Sequence, residues 1–341
     1  MNEPYNSFAG FLKKKFPGEK VLKIPLHAGL TCPNRDGSIS WAGCIFCDPY
    51  AAGPLRGADR PIEQQIETYI AAHPGKKYIA YFQSHSNTHG PISELRRKYE
   101  IVFNYERVIG LSIGTRPDCV PDPVLSLLVE LNQRPYLTVE LGLQSIHETS
   151  LTFLNRNHTY PQFLDTFRKL QDLKISTVVH LIIGIPGETR EHMLATIEEM
   201  NRLRPQGVKF HLLHVLKNTV LHRRYLEAPF PLLERDDYAG LIAFLLDRLH
   251  PDIVIHRLTG EREKEIFVAP EWALNKQAVL NAIRQKMVAM NAFQGRNWRG
   301  EPRPAQGDRP LNRQYEAPLF KGDGAPDRHD PFFVDKKNQM V

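Results

Sequence analysis

Short runs of β-branched and apolar residues recur along the chain at Lys77–Gln83, Val108–Ile113, Leu137–Leu143, Thr177–Ile185, Val208–Leu213 and Ile253–Leu258. Between them, apolar residues return at helical spacing over Pro61–Ala72, Pro91–Phe103, Pro123–Leu131, Pro161–Leu173, Arg190–Leu203 and Glu234–Leu249. Such alternation predicts parallel strands joined by crossover helices, because a parallel partner can be reached only by a long connection back across the sheet. Val21–Pro25 reads as the first strand and Asn275–Ala289 as the last helix. A doubly wound open sheet and a (β/α) barrel both fit this order. The loop after the first strand favours a partial TIM-like barrel, since barrel enzymes carry their sites on loops leaving strand C-termini.

That loop holds Cys32, Cys44 and Cys47, spaced Cys-x11-Cys-x2-Cys, and the chain has one further cysteine, Cys119. Three clustered thiols without a fourth fit an iron–sulfur cluster with one iron left open, whereas an ordinary four-iron cluster takes four cysteines. A zinc site completed by His27, Asp48 or Cys119 stays open as an alternative. A disulfide framework fits poorly in a long, cysteine-poor chain.

The chain of 341 residues carries a formal charge of +6, which is compatible with a polyanionic substrate but does not require one. Met1–Phe16 lacks the apolar core of a signal peptide, and no stretch has the roughly 18 apolar residues of a membrane span. A cytoplasmic, reducing location with no membrane partner is expected. By organisation, residues 1–20 form an extension, 21–260 the barrel, and 261–294 a C-terminal extension with a helix. Residues 295–341, rich in Pro, Gly, Asp and Arg without an apolar period, are expected to be disordered.

Further motifs stand in order at the predicted strand ends. They are Tyr81-Phe82-Gln83-Ser84, Gly114-Thr115-Arg116-Pro117-Asp118, Glu140-Leu141-Gly142-Leu143-Gln144-Ser145 and Asn155-Arg156-Asn157-His158-Thr159. Gly184-Ile185-Pro186-Gly187-Glu188-Thr189, His211-Leu212-Leu213-His214 and Arg257-Leu258-Thr259-Gly260 complete the series. With the cysteine loop, they make residues 5–294 resemble the radical S-adenosylmethionine superfamily, in particular the YhcC-like group related to the radical domain of the Elongator catalytic subunit. The superfamily's commonest spacing is Cys-x3-Cys-x2-Cys. The longer first gap here is one the YhcC-like group is expected to share.

The resemblance implies one [4Fe–4S] cluster on Cys32, Cys44 and Cys47, with S-adenosylmethionine on the open iron. An electron donor such as flavodoxin or ferredoxin would drive reductive cleavage to methionine and a 5′-deoxyadenosyl radical. It also implies cofactor contacts. Gln83 and Ser84 would meet the methionyl amino group. Thr115 and Arg116 would meet the carboxylate, against a structural pairing of Arg116 with Asp118. Arg156 would also meet the carboxylate, against helix-end capping. The ribose, which many relatives hold with a Glu where this chain has Gly114, would fall to Gln144 with Glu140 as second choice. The backbone of Gly184 and Ile185 would face the adenine. His214 is a further candidate, and His211 and His214 are equally readable as structural. Lys13, Lys14, Lys15, Arg223 and Arg224 are candidate RNA contacts or simply solvated faces. The Elongator kinship implies transfer RNA as substrate, at a wobble uridine. A small metabolite or protein side chain, a non-catalytic iron–sulfur or zinc protein, and an RNA-binding scaffold are the other readings.

Overall fold

The computed structural model describes residues 3–48 and 60–300. Its strands are β1 (Val21–Leu26), β2 (Lys77–Phe82), β3 (Val108–Thr115), β4 (Tyr136–Gln144), β5 (Thr177–Ile183), β6 (Gly207–Leu212), β7 (Val215–Leu216), β8 (Val254–Arg257) and β9 (Phe267–Ala269). All but β7 and β9 form one sheet in the order β1-β2-β3-β4-β5-β6-β8, with every neighbouring pair parallel. The two short strands β7 and β9 pair with each other, antiparallel. The helices are α1 (Phe8–Lys15), α2 (Ile62–Ala72), α3 (Ile92–Glu100), α4 (Asp122–Leu131), α5 (Glu148–Phe153), α6 (Tyr160–Asp172), α7 (Arg190–Leu203), α8 (Val220–Glu227), α9 (Arg235–Arg248) and α10 (Lys276–Ala289).

Register gives each face of the sheet its character. Lys23 pairs with Ile79, two residues before Tyr81, and Tyr81 pairs with Ser112. His180 pairs with Lys209, and Lys209 with Arg257. Because side chains alternate across a strand, these polar residues share one face. The other face carries Ile24, Leu26, Phe82, Leu111, Ile113, Val139, Leu141, Leu181, Ile183, Phe210 and Leu212, all in the main core with apolar residues of α4, α6, α7 and α9.

The same residues show that the sheet is curled. In a flat sheet β2 and β6 would stand about 19 Å apart, four strand spacings. Yet Lys209 Nζ of β6 donates to the Tyr81 hydroxyl of β2 at 2.9 Å, and Lys23 of β1 reaches Glu140 of β4 at 2.6 Å. The strands therefore wrap into a half-barrel with its polar face inward. Helix α1 closes the N-terminal end: Leu12, with Phe8 and Phe11 beside it, packs on Val21, Ile79 and Tyr136 near the starts of β1, β2 and β4.

Side-chain caps fix where several crossover helices begin. Thr159 accepts from Gln162 N while Gln162 reaches back to Thr159 N, and Thr189 and His192 do the same for α7. The large elements follow the expected pattern. The short elements α1, α5, α8, β7 and β9 are additions to it. No described helix is long and apolar enough to cross a membrane. The expectation of disorder from residue 295 is revised at its start. Gly295 N donates to Leu246 O, Asn297 N to Asp247 O, and Trp298 stands edge-on to His250. The rest of that segment, 301–341, lies outside the described residues.

Candidate active site

The cysteine loop leaves β1 at the C-terminal end of the half-barrel and is shaped by its own backbone. Arg35 N and Asp36 N both donate to Cys32 O (2.7 and 3.1 Å), Gly43 N donates to Asn34 O (2.7 Å), and Cys47 N to Cys44 O (3.0 Å). Gly43 has φ +72°, a conformation open to glycine at no steric cost. The loop is then fastened to the turn after α5. Asn34 Nδ2 donates to Asn155 O (2.7 Å), Asn157 Nδ2 to Asn34 Oδ1 (2.6 Å), and Asn155 Nδ2 to Gly43 O (2.6 Å). Asn155 and Asn157 both have φ +51°, a region asparagine tolerates better than most residues. Between the cysteines, Ile45 is buried with Leu154, Ile182, Ile185, Leu213, Val215 and Leu221, and its backbone bonds Leu154 O and Leu221 N.

This framework brings three thiols together with two guanidinium groups. Arg156 Nη1 donates to Cys44 Sγ at 3.3 Å and Nη2 to Gly142 O at 2.7 Å. Arg116 lies nearby, its Nε and Nη2 on the two oxygens of Asp118, each at 2.8 Å. Burial pushes the Cys47 thiol up to about 12, with Cys44 adding to the rise and Arg35 opposing it. Cys32 is raised by burial too, against the pull of Arg116. Among the described residues, no three His, Cys, Asp or Glu side chains converge on a single metal ion. Three mutually influencing thiols bordered by arginines suit a larger, anionic group. Arg116 Nη1 and Arg156 Nε are buried without a hydrogen-bond partner, leaving donors for a ligand. The residues therefore fit an iron–sulfur cluster with an anionic molecule beside it.

Gln144 joins this group. Pairing of β4 with β5 shifts register between Leu141 and Gln144, and Gln144 has φ +78°, so a bulge and a strained backbone re-aim its side chain. A side chain on Gly142 would meet Gln144 Nε2 at 2.9 Å and Arg156 Nη2 at 3.2 Å, so glycine here leaves both polar ends their present place. Thr115 bonds Thr88 Oγ1 (2.6 Å), and Ser84 is buried with its hydroxyl unpartnered. Gly184 turns β5 into the next loop with φ +84°, while the Ile185 side chain is buried beside Ile45. Glu188 of the same loop accepts from Ser145 Oγ and Ser150 Oγ (2.5 and 2.7 Å), which staples the loop to the end of β4.

Other candidates stand apart. His214 packs its ring on Phe267 and against Gly260, and burial with Arg262 and Arg257 lowers it to about 3. Gln83 faces the lumen below the loop. The expected ribose contact from Glu140 is revised. This carboxylate is fully buried in mid-barrel and accepts from Lys23 (2.6 Å), Ser112 (2.5 Å) and His180 (2.7 Å), and from Lys209 as well. Burial alone would raise Glu140, but Lys209, Lys23 and His180 together hold it well below the usual carboxylate range. Burial pushes Lys209 down to about 7, opposed by Glu140 and helped by Lys23 and Arg257. This lumenal ion cluster and the asparagine clamp are the functional features that motif reading missed. The ion cluster's sequence signal is polar residues alternating with apolar ones inside predicted strands, and the clamp's is the Asn155-Arg156-Asn157 motif, whose bonds to the cysteine loop leave no local pattern.

The sequence matches the Radical SAM superfamily over residues 32–200 and the Radical SAM C-terminal domain over residues 205–289. It is 39% identical over 297 residues to YtqA of Bacillus subtilis, covering 86% of this chain and 92% of YtqA. It is 33% identical to YhcC of Escherichia coli K12, covering 80% and 88%. A shorter match, 26% identical over 141 residues, covers 40% of this chain and 26% of the tRNA uridine(34) acetyltransferase of Methanocaldococcus jannaschii. Among solved structures, archaeal Elp3 of Methanocaldococcus infernus shares the fold with a TM-score of 0.57 at 18% identity, over 81% of this chain and 64% of Elp3. With the half-barrel, the three-cysteine loop and these whole-length relatives together, the chain belongs to the radical S-adenosylmethionine superfamily, whose cofactors are a [4Fe–4S] cluster and S-adenosylmethionine.

Proposed function

We propose that Cys32, Cys44 and Cys47 hold the cluster, that the protein cleaves S-adenosylmethionine reductively, and that its substrate is transfer RNA at a wobble uridine. The observation that carries the cofactor assignment is Arg156, whose guanidinium bonds Cys44 Sγ with one arm and Gly142 O with another while Nε stays unpartnered. One residue thus ties the thiol loop to the end of β4. When bound, the two cofactors supply a one-electron cleavage of a carbon–sulfur bond, with flavodoxin or ferredoxin as the electron source. The chain's own residues bind and orient. Arg156 and Arg116 offer buried, always-charged donors to a carboxylate. The Gln144 side chain makes no hydrogen bond among the described residues and offers an amide to ribose hydroxyls. The turn at Gly184 offers its backbone to the adenine. The apolar wall around Ile45, Ile182 and Leu213 keeps water from this end of the barrel.

Support for the RNA substrate comes from two sides: the relative whose name specifies uridine 34 of tRNA, and the basic balance of +6. The same reading places the protein in the cytoplasm, where its thiols stay reduced. Anaerobically reconstituted protein is expected to bind about four irons and release 5′-deoxyadenosine on reduction, and Cys44→Ala to lose both. Arg156→Ala should weaken S-adenosylmethionine binding while iron stays bound. Mass spectrometry of tRNA nucleosides from cells lacking the protein tests the substrate. An unchanged wobble-uridine profile would redirect the assignment to a small molecule or protein side chain.

A further inference from the structure

Below the cysteine loop, the lumen opens between the two edges of the half-barrel into a cavity of about 250 Å³. Its walls include Lys23, Tyr81, Gln83, Lys209 and Arg257, with the rings of Phe8 and Tyr69 at one side. We propose that this cavity is an oxyanion subsite, in which Lys23, Lys209 and Arg257 hold a carboxylate or phosphate group of the substrate.

Charge balance drives the assignment. Lys23 and Arg257 meet here with Lys209, which burial holds at about 7, and among the described residues one carboxylate, Glu140, stands against them, so positive charge stays in excess at neutral pH. Among the described residues, no acidic side chain lines the cavity. Lys23 and Lys209 each pair with Glu140. Arg257 makes no hydrogen bond or ion pair among the described residues. The neighbouring histidines cannot supply negative charge, and Tyr81, raised by burial and then by Glu140, keeps its proton. Excess positive charge in a partly desolvated chamber is costly unless an anion compensates it. Lys23 is already flanked by the rings of Phe8 and Tyr81 at 4.7 and 4.8 Å, which offsets some of that cost but leaves the net charge unchanged.

Shape and position agree with charge. The cavity has room for a small acidic group such as a carboxylate or phosphate. Arg257 presents a planar fork suited to two oxygens, and the Gln83 amide lines the same cavity. Glu140 and Gln144 are four residues apart on β4, about 13 Å at the usual rise. A group anchored in the cavity would therefore hold the attached part of the substrate under the Gln144–Arg156 corner. This deepens the proposed function by naming the chemistry of the substrate portion that enters the barrel. It is read by binding alone, so it can fail while the radical reaction stands, and the reverse.

The test uses reconstituted holoprotein at neutral pH, with sodium acetate and sodium phosphate as probes against sodium chloride at matched ionic strength. Calorimetry and the thermal midpoint should show saturable binding of one probe or both. Acetate alone would identify a carboxylate source and phosphate alone a phosphate source. Arg257→Gln should weaken binding at least about tenfold, the loss of one charge-assisted pair, while iron content and S-adenosylmethionine binding hold. Arg257→Lys should recover part of that loss, because charge is kept and only the fork is removed. Absence of saturable binding to the wild-type protein, or equal affinity in wild type and Arg257→Gln, would overturn the proposal.

Discussion

Glu140 shows how much one side chain can organise. It bridges β4 to β1, β3, β5 and β6 through Lys23, Ser112, His180 and Lys209. Glu140→Ala leaves two buried ammonium groups without a counter-charge, a change that costs about 3–5 kcal/mol when one partner of a buried pair is removed. Denaturant unfolding should show that loss, and the double variant Glu140→Gln with Lys209→Met should recover much of it. A pH dependence follows from the same lumen. Burial holds His180 at about 4 and His211 and His256 well below their ordinary value. Below about pH 6.5 the unfolded chain takes up protons that the native chain refuses, so stability is full above that pH and falls on acidification. Each such histidine weakens the fold by roughly 1.4 kcal/mol per pH unit within its window. The unfolding midpoint should therefore drop from pH 7 to pH 5, with a shallower slope in His211→Gln. Stability that rose on acidification would contradict the account. The sequence marks Glu140 only as a candidate ribose contact; its meeting with Lys23 and Lys209, which lie 186 residues apart, arises only once the sheet curls.

At the scale of elements, the cysteine loop is held by the turn that follows α5. Asn155→Ala removes the bond to Gly43 O and puts a Cβ-bearing residue without a polar side chain at φ +51°. Thermal stability should fall by about 1–3 kcal/mol, the range for a buried polar group left unsatisfied, while iron loading falls more sharply. Asn155→Gly should restore the backbone but not the bond, and so separate strain from hydrogen bonding by iron content. The long crossover helices and the main strands were legible, since each shows its period over two or more turns or several alternations. The six residues of α5 and the two of β7 are too few to show one. Helix α1 was missed because FAGFLKKK pairs few apolar positions with a run of lysines, and its role, closing the barrel end, depends on strands that come later.

Across the whole described chain, the two ends meet on β8, the last strand of the sheet and an open edge. Ile255 N donates to Asn6 O, Gln294 N to Pro4 O, and Gln294 Oε1 accepts from Asn6 N at 2.8 Å. Gln294 Nε2 also donates to His250 O and Ile253 O, each at 2.8 Å. This arrangement covers an edge that would otherwise offer unpaired backbone groups, and it sets α1 against the barrel end. Reading the chain in order gave both terminal segments as extensions, because a contact between residues 6 and 294 leaves no local pattern. The bonds of Gly295 and Asn297 to the end of α9, and Trp298 against His250, continue the same seam. Two truncations should therefore differ. Removal of 301–341 touches none of these bonds, and because its sequence carries no apolar period, stability should stay within about 0.5 kcal/mol of the full chain. Removal of 295–341 strips the Asn297–Asp247 bonds and the Trp298 ring, and should cost a further ~1–3 kcal/mol through buried groups left unpaired. Unfolding of the two truncated proteins side by side measures the difference. Equal stability would mean that the seam ends at Gln294 and that the packing of residues 295–298 adds nothing to the fold.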